Sequence, residues 1–224
     1  MSIIQKSTFK FLKEIRKNNN REWFHANKPI YQEANDNMKA YLNHLESELN
    51  KIDVIEKKKL FRIYRDVRFS KDKTPYNSHF SLSFAREGAH RRGGYFIKIT
   101  PGGSMVGGGF YNPEPKDLKL IRSHIDADSK PLRKIIKSKK FKDTFGALMG
   151  NQVKTSPKGY DKTHPDIDLL RYKSMFVFKS FTDKEVLAPG FDKEIIKVYK
   201  NIRPFFDYMT EVLTHDLDGV PLYG

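Results

Sequence analysis

The period of the hydrophobic positions changes along the chain and sets out its elements. Over residues 7–17, Phe9, Leu12 and Ile15 recur at helical spacing, and Asn18, Asn19 and Asn20 close the run. Asparagine tolerates the left-handed conformation found at helix ends, so a stop is expected there. A longer stripe follows, with Tyr31, Ala34, Met38, Tyr41, Leu42, Leu45, Leu49 and Ile52 on one face, Asn27 as cap and Pro29 in the first turn. That face is core. Lys57-Lys58-Lys59 reads as a solvated connection.

In the middle the period drops to two. Ile63, Val67 and Phe69 share a parity, which predicts a strand near 60–69. Phe80, Leu82 and Phe84 alternate with small residues, and 94–100 and 104–111 flank the turn Pro101-Gly102-Gly103. These segments predict an antiparallel meander over about 80–111. Helical spacing returns at 116–126, from Ser129 onward with Leu132, Ile135 and Ile136 inward, and at 139–148. A short strand at 174–181 precedes Thr182 and Glu185, which are spaced as a capping box. The last helix is expected over 191–213, kinked or broken at Pro204, with 215–224 loosely ordered. No repeat or linker interrupts the pattern. One α+β domain over 1–224 is expected, with helices at both ends and a mainly antiparallel sheet between them.

Composition narrows the chemistry. The 224 residues carry 42 Lys plus Arg against 27 Asp plus Glu, a net charge of +15 that attracts anions. Cysteine is absent, so disulfides, thiolate metal sites and a cysteine nucleophile are excluded. The histidines show no metal-ligand spacing, and neither a metal nor a cofactor is expected. No apolar run reaches membrane-span length and none resembles a signal peptide, so a cytoplasmic protein without a membrane partner is expected.

The densest chemistry lies in Arg62 to Tyr76, which holds three arginines, two lysines, two aspartates and two tyrosines. Guanidinium matches phosphate and carboxylate in a two-pronged way, so the segment reads as an anion site. Arg65 and Arg68 would grip, Asp66 would orient them, and Lys73 and Tyr76 would close the far side. The competing reading is a brace in which Asp66 and Asp72 pair with the arginines. Gly107-Gly108-Gly109 leave no side chains to pack, so either a ligand or another part of the chain, such as Trp23, comes close there. His79 and His164 are the candidate acid–base groups; the latter follows Lys158-Gly159-Tyr160, and Asp166 and Asp168 lie near it in sequence. Trp23 reads either as a stacking platform or as an anchor between helices. Seven cations over 130–142, from Lys130 to Lys142, read either as a phosphate-backbone footprint or as a solvated helix face.

Arg62, Arg65-Asp66, Arg68-Phe69, Asp72-Lys73 and Tyr76 follow a signature RxxRDxRFxxxDKxxY, with two residues here between Phe69 and Asp72. Together with Asn19-Asn20-Arg21-Glu22-Trp23-Phe24, Asn27-Lys28, Tyr31, Gly107-Gly108-Gly109, Pro157-Lys158-Gly159-Tyr160 and His164-Pro165, the chain resembles the bacterial family called domain of unknown function 2461. The resemblance implies no established activity. The expected function is binding of a small phosphorylated or other anionic ligand by Arg62, Arg65, Asp66, Arg68, Lys73, Tyr76, Gly108, Lys158 and Tyr160, with His79 or His164 serving any reaction. Two alternatives stand: weak, sequence-independent binding of nucleic acid, and a structural or interaction protein with an internal arginine–carboxylate network.

Overall fold

The computed structural model describes residues 3–88 and 90–222. Helices α1 (Lys6–Lys17), α2 (Arg21–Ala26) and α3 (Lys28–Leu49) lead into strand β1 (Ile55–Leu60). The meander is β2 (Phe80–Arg86), β3 (Gly94–Ile99) and β4 (Ser104–Phe110). Helices α4 (Pro115–Ala127), α5 (Lys130–Lys137), α6 (Lys139–Phe145) and α7 (Ile167–Leu170) precede β5 (Met175–Phe181). Helices α8 (Asp183–Val186) and α9 (Phe191–Thr214) complete the order. The strands form one five-stranded antiparallel sheet in chain order, β1-β2-β3-β4-β5. The protein is therefore α+β, with helices toward both chain ends.

Several elements differ from the pattern-based expectation. The strand predicted near 60–69 lies earlier, at Ile55–Leu60, and runs through the lysines read as a connection. It occupies a sheet edge and its lysines are exposed, so it shows no alternation of apolar residues. Residues 61–79 are irregular and are held by an isolated antiparallel bridge between Tyr64 and Tyr76. Helix α1 stops without a left-handed residue: Asn18 has φ −118°, and its side chain instead donates to the Glu14 carbonyl at 3.1 Å. Asn20 then caps α2 by accepting from the Trp23 N–H at 2.8 Å. Helix α9 runs unbroken through Pro204. The tail is tied down by His215 pairing with Pro221 and by the Leu222 N–H donating to the Thr214 carbonyl at 2.8 Å. The Thr182–Glu185 capping box forms as the spacing predicts.

The chain divides into two compact units. The first holds Met1–Phe84, Phe96–Val106 and Ser180–Lys197. Its core is built by Phe9, Phe11, Leu12 and Ile15 of α1 and by Met38, Tyr41, Leu45 and Leu49 of α3, all buried. Burying a side chain of this size contributes about 1.5–3 kcal/mol, so the two apolar stripes fix the α1–α3 pair. The second holds Ala85–Tyr95, Gly107–Lys179 and Val198–Gly224. Aromatic rings dominate its core: Tyr95 packs 4.3 Å from Tyr199, and Phe110 meets Phe205 and Phe206 edge-on at 5.9 Å.

The glycine run of β4 is accounted for inside this second unit. A Cβ on Gly107 would fall on the Val177 carbonyl oxygen and 2.8 Å from Phe178 Cα. On Gly109, where φ is +149°, it would fall on the backbone of Met175 and Phe176. Gly108 faces the Gly94 carbonyl and the Phe206 ring. The close approach is made by β3, β5 and Phe206, and the aromatic partner is not Trp23.

Candidate functional site

Arg62 to Tyr76 and His79 lie in the first unit, whereas Gly108, Lys158, Tyr160 and His164 lie in the second. Within the first unit, most of the cations expected to grip a ligand are engaged locally. Arg65 donates to Asp72 Oδ2 at 2.7 Å, to the Thr74 carbonyl at 2.8 Å and to the Thr74 hydroxyl. Arg68 makes a two-pronged pair with Asp66, Nε to Oδ1 at 3.0 Å and Nη2 to Oδ2 at 2.7 Å. Lys73 donates to the Val67 and Arg68 carbonyls at 3.0 and 3.3 Å. The Arg68 hydrogen bonds hold the Asp66 carboxyl below the usual carboxylate range, and the Thr74 N–H, the Thr74 hydroxyl and Arg65 do the same for Asp72. These groups shape a loop whose tip, Phe69, is 97% exposed.

Arg62 is different. It is exposed and pairs with no carboxylate among the described residues. It lies near Tyr31, whose phenol is pushed up by burial, by Tyr64 and by the Asp36 carboxylate and pulled down by Arg62. Arg21 is likewise exposed without a carboxylate partner and lies beside Tyr76, whose phenol is also raised, chiefly by burial. The three tyrosines form one cluster around Phe24. Phe24 stacks on Tyr76 at 4.2 Å and lies 5.1 Å from Tyr31 and 5.5 Å from Tyr64. Tyr64 and Tyr76 are 5.4 Å apart, and Tyr31 and Tyr64 are 6.3 Å apart. None of the three hydroxyls bonds to another described residue.

The chain builds this cluster from two distant stretches. Asn19 clamps the second stretch to the first through the Tyr76 backbone, donating to its carbonyl at 2.8 Å and accepting from its N–H at 3.1 Å. Around the Tyr64–Tyr76 bridge, Arg65 N–H donates to the Pro75 carbonyl and Asn77 N–H to the Ile63 carbonyl. Trp23 stacks at 6.5 Å on buried Phe11 and anchors α2. Arg21, Tyr31 and Tyr64 were absent from the expected ligand set. Their signal was the density of aromatic and amide side chains from Asn19 to Tyr31, which carries no chemistry until it meets Arg62.

His79 and His164 sit in different surroundings. His79 is half-buried, and burial with the nearby cations Lys98 and Arg16 lowers it to about 4, so it is neutral near pH 7. In the second unit, His164 Nδ1 accepts from the Asp166 N–H at 3.0 Å and Nε2 meets Asp126 Oδ1 at 2.9 Å, which engages both ring nitrogens. Tyr160 lies edge-on to His164 at 6.2 Å, and Lys158 is exposed. Arg133, one of the expected polyanion contacts, is instead locked to Asp166 at 2.7 Å and Asp168 at 2.6 Å. Burial pushes the Asp166 carboxyl up, but hydrogen bonds from Ser129 and Arg133 outweigh it and hold the group ionised. No group of acidic and histidine side chains among the described residues has the geometry of a metal site. No helix among them is long and apolar enough to cross a membrane.

The chain belongs to the family described as "Conserved hypothetical protein (DUF2461)", whose model matches residues 7–208. No curated protein and no solved structure matches it.

Proposed function

We propose that the protein binds a small phosphorylated or other multiply charged anion at the cluster of Arg21, Arg62, Tyr31, Tyr64 and Tyr76. The observation that carries this reading is the lack of protein partners. Arg62 acts on Tyr31 and Arg21 on Tyr76, and neither guanidinium pairs with a carboxylate among the described residues, although Asp36 also acts on Tyr31. The hydroxyls of Tyr31, Tyr64 and Tyr76 bond to no described residue. Elsewhere in the same segment, arginines are consumed by neighbouring aspartates. A guanidinium fork and a phenol O–H are both donors to phosphate or carboxylate oxygens. The ring of Tyr64, 49% exposed, favours a ligand that also carries a ring or other apolar part. Arg65, Arg68 and Lys73 act at one remove, by fixing the loop that carries Tyr64 and Tyr76.

The test is ligand-dependent melting against a panel of phosphorylated and carboxylated small molecules, with pyrophosphate and citrate as simple probes. A compound that binds the native state raises its melting temperature according to concentration over Kd. The reading expects at least one such shift in wild type, lost in R21Q/R62Q and kept in R68K. A panel that shifts none of the proteins, or shifts R21Q/R62Q as much as wild type, contradicts it.

A further inference from the structure

A second cationic feature lies in the first unit, on the outer side of α1. Lys6, Lys10, Lys13 and Lys17 follow i, i+4, i+7, i+11 spacing and so fall on one face of the helix. All four are exposed. With Arg16 they line an open groove of about 560 Å³. Its carboxylates are Glu14 and Asp183, an excess of three positive charges. Those two acids are already engaged: Glu14 meets Lys17 at 3.5 Å, and Asp183 meets Lys13 at 3.8 Å while accepting from the Gly102 N–H at 2.7 Å. Lys6 and Lys10 have no ion-pair partner among the described residues. At the far end, Arg16 is held by the Thr100 hydroxyl at 2.8 Å and the Pro101 carbonyl at 3.1 Å, which are neutral groups.

We infer that this groove takes the phosphodiester backbone of a nucleic-acid strand. The lysines climb α1 in steps of ~6, ~4.5 and ~6 Å, at 1.5 Å per residue, so they present a straight row of charge to a linear polyanion. No aromatic ring is free to stack on bases, because Phe9, which lines the groove, is buried. Contact is therefore with phosphates and is blind to sequence. A membrane surface fits less well. An interfacial helix needs its apolar face free for lipid, whereas Phe9, Phe11, Leu12 and Ile15 are all buried in the core.

The experiment is fluorescence anisotropy of a labelled oligo(dT) of about 12 nucleotides, a length within the usual range of single-strand sites, titrated at several salt concentrations. Wild type should bind at about 50 mM salt and release steeply toward 200 mM. K6Q/K10Q should bind about tenfold more weakly, and its log–log salt slope should fall by roughly 1.4, at ~0.7 per lost phosphate contact. K6R/K10R should bind like wild type. K134Q/K140Q, in the other basic cluster, should also bind like wild type. Absence of wild-type binding overturns the inference, as does an equal loss in K134Q/K140Q, which would assign the effect to net charge alone. Tighter, lysine-dependent binding to polyglutamate or to phosphatidylserine vesicles than to the oligonucleotide would overturn it in favour of that partner.

Discussion

Asn19 and Tyr76 are joined twice, side chain to backbone, by hydrogen bonds of 2.8 and 3.1 Å. The pair ties the turn between α1 and α2 to the end of the irregular 61–79 segment, and so sets Phe24 against Tyr76. Asn19→Ala removes a donor and an acceptor at once and leaves the Tyr76 backbone groups unmatched. A loss of about 1–3 kcal/mol is expected in denaturant melts. Asn19→Asp keeps only the acceptor and places a carboxylate against a carbonyl, so it should rescue little. Wild-type stability in Asn19→Ala would show that the clamp does not hold the cluster.

The two arginine networks should separate by energy. The Arg68–Asp66 pair is 77% and 60% exposed, so Arg68→Lys should cost under about 1 kcal/mol. Arg133 is 22% exposed and bonds to both Asp166 and Asp168, with Ser129 joining at Asp166. Arg133→Met should cost about 1.5–3 kcal/mol, because it strips charged hydrogen bonds from a half-buried carboxylate. Equal costs for the two variants in urea melts would mean that Arg133 is no more a brace than the exposed Arg68–Asp66 loop pair.

Stability between about pH 6.5 and pH 4 should depend on His79. Its folded pKa is lowered to about 4, so across this window the unfolded chain binds the proton more readily than the folded one. Stability therefore falls as the pH drops from the ordinary histidine value toward 4. His79→Asn should flatten that limb while leaving the region above pH 7 nearly unchanged. The aspartates lowered by hydrogen bonds, such as Asp66 and Asp72, lose their contribution mainly at lower pH, from about pH 5 downward. An unchanged slope in His79→Asn would place the titration elsewhere.

Gly107 and Gly109 should tolerate no side chain. Alanine at either position drives a methyl into strand backbone, and Gly109 also has φ of +149°. Neither variant should give a cooperative native transition. Gly102→Ala, with φ +76° and no neighbour within 4 Å, should cost only about 1–2 kcal/mol. Native-like melting of Gly107→Ala would mean that β5 is not packed as described.

The parts of this structure that could be read from the chain are those where burial imposes a period. Ala34 to Leu49 of the α3 stripe and the Phe80–Leu82–Phe84 alternation mark buried faces and are found as such, whereas Tyr31 and Ile52 at the ends of the stripe are only half-buried. Strand β1 escaped because an edge strand of exposed lysines has no apolar parity to display. Phe69 misled for the opposite reason: it shares parity with Ile63, yet it stands in solvent at a loop tip. The candidate site was partly legible. The density of Arg62 to Tyr76 drew attention to that segment, but which arginines remain unpaired depends on turns that bring Asp72 and Thr74 back to Arg65. Arg21 and Tyr31 join through contacts with residues more than thirty positions away, a separation that no local pattern reports.

The central claim is that Arg21, Arg62 and the three tyrosines receive an anion. It is tested most directly by NMR of the protein with carbon-13-labelled tyrosine rings, titrated with pyrophosphate at fixed ionic strength. The account predicts saturable shifts of the Tyr31, Tyr64 and Tyr76 ring signals, with Tyr160 and Tyr172 unmoved, and loss of those shifts in R21Q/R62Q. Ring signals that stay still in wild type, or that move equally in R21Q/R62Q, would contradict it.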